Sequence, residues 1–216
     1  CILSLMNINF LLSILVLSSM STVVCFSQPQ FPMSNDESFD SNISAPTYKA
    51  GNGPRVLIDG GHNNFFVQFN FIKPLENLLI SDGYHVDTSA EKFSSDLLAK
   101  YKILVVVTPM STNFMNPDQT YESAFTSKEL ADLENWVNRG GSILVFSEHF
   151  PFDLAVQPLL NIFGIDTSIG VVIDRYNYES NPGQILFTSD SLADNHPVVS
   201  GKRSVKKLAS YGGSAL

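Results

Sequence analysis

Val56-Leu57-Ile58-Asp59-Gly60-Gly61-His62-Asn63-Asn64 is the stretch that decides the fold. Three apolar residues in unbroken succession, closed by an acid and two glycines, read as a strand buried on both faces, because a strand with one wet face would alternate. Beyond it, Phe71, Ile72, Leu75, Leu78 and Leu79 recur at helical spacing, with Asn70 as the expected cap, Pro74 tolerated in the first turn and Gly83 as the stop. Residues 84–88 give a weaker second strand, Ser94 or Ser95 caps a short helix carrying Leu97, Leu98 and Tyr101, and Ile103 to Val107 forms a third strand. Thr126-Ser127-Lys128-Glu129 is a capping box, with Phe125 and Leu130 as its hydrophobic staple and Leu133, Trp136 and Val137 on the same face as Leu130. Gly140 ends that helix, Ile143 to Phe146 is a fourth buried strand, and a helical segment follows through Leu159, Leu160 and Phe163, with Pro158 near its start. Further strand-like runs are expected at Val171 to Ile173 and at Gln184 to Phe187.

Strands that alternate with amphipathic helices must lie parallel, since each helix crosses back over a face of the sheet to deliver the next strand in the same direction. The expected fold is therefore α/β, a flavodoxin-like doubly wound parallel sheet in a three-layer α/β/α sandwich. In that order the first strand lies between the second and third, and ligands bind outside the carboxyl ends where the order reverses.

Outside this body the composition changes. Phe10 to Ser18 is an apolar run of signal-peptide length, too short to be a good membrane span, and it is followed by small and polar residues. No Lys or Arg precedes Lys49, so the usual positive leader is missing, and the opening Cys1 makes Met6 a candidate start. The expected organisation is a signal peptide over 1–27 cut after Ser27, a disordered linker over 28–54, and one domain over 55–216. That places the protein outside the cytoplasm, secreted or periplasmic, with no transmembrane helix in the mature chain. Both cysteines, Cys1 and Cys25, fall in the leader, so a mature chain would have no disulfide, Cys–zinc site or Cys nucleophile. Lipid anchoring through Cys25 is the lesser alternative, because Val24 stands where a small residue should precede the cysteine. Asn42-Ile43-Ser44 has the form of a glycosylation acceptor, relevant only in a eukaryotic secretory pathway.

Charge excludes one class of partner. Thirteen Lys plus Arg stand against 21 Asp plus Glu, a net charge of −8, so nucleic acid would meet repulsion instead of releasing counterions. The one basic cluster, Lys202, Arg203, Lys206 and Lys207, reads as a solvated face.

The strand ends carry the functional candidates. Asp59, Gly60, Gly61, His62, Asn63 and Asn64 follow the first strand, Thr108 and Pro109 the third, and Ser147, Glu148 and His149 the fourth. The first and fourth strands would lie two positions apart, roughly 10 Å, so His62 could share a ligand with Glu148 or His149. Two imidazoles and two carboxylates suit acid–base work or metal ligation. The same residues also have a structural reading: glycines for a tight strand exit, Asp59 holding backbone amides, histidines as hydrogen-bonding supports. His196, before Pro197, reads as a surface turn. No His-x-x-x-His or His-Glu-x-x-His spacing occurs, Gly60-Gly61 does not continue into a dinucleotide or phosphate-loop fingerprint, and Val145 and His149 crowd Ser147 where a nucleophile elbow wants small residues.

Taken together, Leu57-Ile58-Asp59-Gly60-Gly61-His62-Asn63-Asn64-Phe65, Ser123-Ala124-Phe125-Thr126, the Trp136-Val137 helix ending Gly140-Gly141-Ser142, and His149-Phe150-Pro151-Phe152 resemble an uncharacterised exported bacterial family. That family belongs to the class I glutamine amidotransferase-like superfamily, near the trehalose-utilisation-type and gliding-motility-associated domains. The likeness covers about residues 55 to 200 and implies a flavodoxin-like fold. Amidotransferases of the superfamily carry a Cys nucleophile in a Gly-x-Cys-x-Gly elbow, where this chain has Phe146-Ser147-Glu148-His149-Phe150, and the downstream His-x-Glu pair is absent too.

The leading expectation is a domain without amidotransferase chemistry that binds a small polar ligand such as a carbohydrate at the strand carboxyl rim. His62, Glu148 and His149 are its catalytic candidates, and Asp59, Gly60, Gly61, Asn63, Asn64, Thr108 and Ser147 its ligand-binding ones. A hydrolase, metal-assisted or not, with Glu148 or His149 as base and His62 and Asn63 orienting the substrate, is the second expectation. An interaction module in an envelope assembly is the third. Neither a cofactor nor an oligomeric state is legible. The glycine turn at Gly212-Gly213 with no later helix suggests a truncated domain, with apolar surface open near Val171 to Ile173 and Ile185 to Phe187.

Overall fold

The computed structural model describes residues 35, 38–118, 120–176, 183–193, 196–200 and 204–215. The leader, Cys1, Cys25, Lys202 and Arg203 lie outside the described residues. Strand β1 (Arg55–Asp59) pairs in parallel with β2 (His85–Ser89) on one side and β3 (Ile103–Val107) on the other, and β3 pairs in parallel with β4 (Ser142–Phe146). The order β2-β1-β3-β4 is that of a flavodoxin-like sheet, with its reversal between β1 and β3.

Residue parity along the strands builds two cores. Leu57 of β1 and Leu104 and Val106 of β3 face a cluster with Leu98 of α3 (Ser95–Leu98), Leu133 and Trp136 of α4 (Ser127–Asn138) and Leu159 of α5 (Gln157–Asn161). Val56, Ile58, Val105 and Val107 face the other way, against Phe66 and Val67 of α1 (Phe65–Gln68) and Leu75 and Leu79 of α2 (Lys73–Ser81). Each fully buried aliphatic side chain contributes about 1.5–3 kcal/mol, so these two layers of contact are what press the sheet between its helices. Among the described residues, no helix is long and apolar enough to cross a membrane.

Local signals set most of the element ends. The Ser94 hydroxyl accepts from the Leu97 amide at 3.2 Å, and the Thr126–Glu129 capping box is formed in full. Asn70 does not cap α2: it sits at φ 61 in the turn before it, and Ile72 is the residue ahead of the helix, with Pro74 in its first turn. The loop expected after β1 contains the extra short helix α1, whose Phe65 ring meets Phe66, Phe69, Phe71 and Phe114. Burial of this aromatic set, not helix propensity, holds so short a turn.

Two further expectations are corrected, and two other segments gain detail that the sequence leaves open. The fourth strand is not buried on both faces: Ile143 and Val145 pack inward, while Leu144 and Phe146 are 45% and 43% exposed, because β4 is an edge strand and no described element covers that face. Val171 to Ile173 forms no strand, and the Val172 amide donates instead to the Gly213 carbonyl at 2.9 Å. Strand β5 (Gln184–Thr188) does form, but it pairs antiparallel with β6 (Lys207–Tyr211) in a separate two-stranded sheet. Finally, the segment ahead of β1 is anchored from Thr47 onward. The Thr47 amide and hydroxyl donate to Asp82, the Tyr48 ring packs edge-on to Tyr84, and the Gly53 amide donates to Gly83.

Val171 and Ile173 are exposed, whereas Ile185 and Phe187 are half-buried. His196 is at the surface as expected, immediately ahead of the short helix α6 (Pro197–Ser200).

Candidate functional site

Asp59 ends β1 with the parity of Leu57, so its side chain turns toward α4 and into the protein. There it meets His62, whose other ring nitrogen meets Glu129. The His62 imidazole is fully buried; its Nδ1 donates to both oxygens of Asp59 at 2.9 Å, and its Nε2 lies 2.9 Å from Glu129 Oε1. The ring thus lies between two carboxyl groups, one at each ring nitrogen, and the three side chains form a buried Asp–His–Glu line. Phe93 and Phe125 enclose the ring from two sides, with centroids at 4.5 and 4.6 Å.

Every remaining acceptor in this line is used. Asp59 Oδ1 also accepts the Gly61 amide at 3.0 Å and Oδ2 the Asn64 side-chain amide at 3.1 Å, while Asn64 Oδ1 accepts the His62 amide at 3.2 Å. Glu129 Oε1 accepts the Phe93 amide at 3.1 Å, and Oε2 accepts the Thr126 amide and hydroxyl at 2.9 and 2.8 Å. Burial alone would raise the Glu129 pKa, but the donations from the Thr126 backbone, His62 and the Thr126 hydroxyl outweigh it and hold the carboxyl below its ordinary value. Glu129 therefore does two jobs: one oxygen closes the capping box of α4, and the other receives the histidine from the β1 loop.

The reversal point of the sheet is likewise closed by the protein itself. Asn63 and Thr108, on the facing loops after β1 and β3, are both left-handed, at φ 50 and φ 43. For a β-branched residue such as Thr108 that conformation is strained. It lets the Thr108 amide donate to the Phe146 carbonyl at 2.9 Å while its own carbonyl accepts the Phe65 amide at 3.3 Å. The Asn63 side chain donates to the Met110 and Ser111 carbonyls at 3.2 and 3.3 Å, and the Met110 amide to the His62 carbonyl at 2.8 Å. Gly61 has no room for a side chain, since a Cβ there would stand 2.6 Å from the Glu91 carbonyl oxygen.

The end of β4 is different. Ser147 is exposed, and Glu148 and His149 are half-buried. His149 Nδ1 donates to the Phe150 carbonyl at 2.8 Å, which leaves Nε2 directed elsewhere, 3.9 Å from Glu148 Oε2. The chain then turns through a cis Phe150–Pro151 bond into a 3₁₀ turn, Phe152–Ala155. The Phe152 ring stands edge-on to His149 and to Tyr121, with both centroids at 5.6 Å.

The structure thus gathers Asp59, Gly61, Asn64 and Glu129 about His62, ties the Asn63 and Thr108 loops together across the strand ends with Gly60 beside them on the Ser89 carbonyl, and leaves Ser147, Glu148 and His149 apart from both groups. No described contact joins His62 to Glu148 or His149. Glu129, Phe93 and Phe125 are partners of His62 that its sequence neighbourhood does not announce. The capping box did mark Glu129, but a capping glutamate is usually a surface residue, and nothing in its spacing from His62 shows that the two meet. Among the described residues, no three His, Cys, Asp or Glu side chains are gathered so as to hold a metal ion.

No family model and no curated protein matches the chain. Among solved structures it is similar to the mmIFT52 N-terminal domain, at TM-score 0.49 and 17% identity over 74% of this chain and 65% of that one. It is also similar to a ThuA-like protein from Bacteroides uniformis, at TM-score 0.42 and 17% identity over 86% of this chain and 64% of that one. The chain spans a little under two thirds of the length of each.

Proposed function

We propose that this chain is an exported class I glutamine amidotransferase-like domain that has lost amide-transfer chemistry and binds a small polyhydroxylated ligand, a carbohydrate, at the carboxyl end of β4. The observation that carries this reading is the pairing there of accessible polar side chains with aromatic ones. Ser147, Glu148 and His149 offer donors and acceptors not tied into the β1–β3 rim, and Phe150, Phe152 and Tyr121 border them. A small number of placed polar groups against apolar rings is how a concave site orients a polar ligand. Loss of amide transfer is supported by Phe146-Ser147-Glu148-His149-Phe150, which offers no thiol where the superfamily keeps its nucleophile. Export is supported by the apolar run Phe10 to Ser18, and N-terminal sequencing of protein recovered outside the cell tests it.

In this reading His62 supports the site and does not touch the ligand, since both ring nitrogens are engaged and the ring is closed from solvent. The test is a titration of the full chain with D-glucose, D-galactose, D-mannose and N-acetylglucosamine, followed by thermal shift and by the His149 ring resonances. Binding that weakens in Glu148→Gln and His149→Ala is expected. Binding indifferent to both substitutions, or none at tens of millimolar, overturns the reading.

One observation favours a second reading, hydrolysis. The Glu148 carboxylate and His149 Nε2 stand 3.9 Å apart, close enough to exchange a proton through water or a small movement. A panel of esters, amides and glycosides decides it: turnover abolished by Glu148→Gln establishes the pair as acid and base, and a silent panel leaves binding alone.

A further inference from the structure

Asp153, in the 3₁₀ turn after β4, is 2% exposed, and its two oxygens are treated differently. Oδ2 accepts the Ser214 hydroxyl at 2.7 Å and the Thr167 hydroxyl at 3.3 Å. Oδ1 is shut away from solvent with no hydrogen-bond partner. Among the described residues no cation pairs with this carboxylate. A carboxylate can only accept, and an oxygen buried without a donor carries its full desolvation penalty, so the closed arrangement is under-satisfied at this one atom.

The segment that lies on Asp153 is Gly212–Ala215. Ser214 supplies the contact to Oδ2, the Val172 amide donates to the Gly213 carbonyl at 2.9 Å, and the Ser168 amide donates to the Ala215 carbonyl at 2.8 Å. Gly212 and Gly213 are both left-handed, at φ 59 and φ 105. Gly212 also lies along His149, where a Cβ would stand 3.2 Å from the ring Cδ2. One short glycine-bearing piece of chain therefore flanks His149 and bonds Oδ2 of the half-satisfied carboxylate four residues further along.

We infer that Gly212–Ala215 is a lid on the β4 site, and that the ligand opens it by displacing Ser214 and setting two neighbouring hydroxyls on Asp153, one on each carboxylate oxygen. The ligand class is a vicinal diol, as on a sugar ring, and the inference rests on the carbohydrate reading above. The direction of the exchange follows from counting donors. The closed lid leaves Oδ1 empty, whereas a diol fills both oxygens; the bonds from the Val172 and Ser168 amides are replaced by water on opening, while the Gly212 amide stays on the Gly183 carbonyl at 2.8 Å as the hinge. The ligand thus binds the open state in preference to the closed one, which is what a lid requires.

Hydrogen exchange at the Val172 and Ser168 amides in the full chain reads the lid, and titration with D-galactose and D-mannose reads the site. Ser214→Ala is expected to speed exchange at both amides about fivefold and to tighten sugar binding, because one hydrogen bond of the closed state is gone. Asp153→Asn is expected to weaken sugar binding about tenfold or more, since an amide offers one acceptor oxygen in place of two. Sugar binding that survives Asp153→Asn but is lost in Glu148→Gln overturns the lid and leaves the β4 reading standing. No sugar binding in either wild type or Ser214→Ala overturns both. If Asp153→Asn does not fold, Gly213→Ala takes its place. Nothing lies within 4 Å of a Cβ there, so alanine at φ 105 strains only the closed backbone. Faster exchange at both amides with tighter binding supports the lid; unchanged exchange and affinity overturn it.

Discussion

The end of β1 and the end of β4 open onto the same rim of one sheet, and both carry histidines, carboxylates and hydroxyls, yet the protein uses them in opposite ways. At β1, Asp59, His62, Asn63 and Asn64 are bonded to one another, to Glu129 and to the β3 loop. At β4, the Glu148 and His149 side chains stand 3.9 Å apart and stay partly open to solvent. Position in the sheet explains the difference. A central strand ends among neighbours, so polar groups there must satisfy each other or bear the cost of burial, while an edge strand ends beside water. Polar residues at a strand end are therefore not equivalent evidence for function, and here the apparently stronger motif is the one whose groups are already bonded within the protein.

The sharpest way to break this comparison is His62→Ala. It leaves Asp59 and Glu129 each short of a buried hydrogen-bond partner, at about 1–3 kcal/mol apiece. Denaturant unfolding measures it, and a loss below about 1 kcal/mol would mean that the β1 cluster is not a structural fastening. Next is Gly61→Ala. Its methyl would meet the Glu91 carbonyl at 2.6 Å, and overpacking against backbone that cannot step aside costs about 1–3 kcal/mol.

Acid sharpens the same point. Because the folded Glu129 carboxyl lies below its ordinary value, its contribution to stability is fully present above that value, near pH 4.5, and is lost as pH falls through the lower folded value. Stability measured from pH 6 down to pH 2.5 should show this loss, and the Glu129→Gln variant should show less of it. A wild-type acid limb no steeper than that of the variant would remove Glu129 as its source. The smallest effect is expected at the other end of the comparison: Glu148→Gln should change stability by no more than about 0.5 kcal/mol and His149→Ala by no more than about 1 kcal/mol, because both side chains are partly open to solvent and neither joins the β1–β3 network. A larger loss would show that the β4 end is also part of the scaffold.

Much of the architecture is legible in the chain. The apolar runs at Val56, Ile103 and Ile143 mark three of the four parallel strands, and the Thr126 capping box gives the start of α4 to the residue. Where reading fails, the missing information is non-local. The run at Ile143 looks like a buried strand because apolarity records what a residue prefers, whereas Leu144 and Phe146 are half-exposed because nothing among the described residues packs over them. Val171 to Ile173 has strand composition, yet a strand needs a paired neighbour, and the Val172 amide finds a single carbonyl at Gly213.

By itself the sequence determined the alternation of strands and helices, the parallel sheet this demands, and the cluster of polar residues at its carboxyl rim, because periodicity and turn chemistry act over a few neighbouring residues. Only the tertiary structure decided which polar residues are fastenings. His62 and Glu129 are 67 positions apart, and Asp153 and Ser214 are 61 apart. Whether such side chains meet depends on how the sheet and helices are stacked, and no local pattern carries that distance.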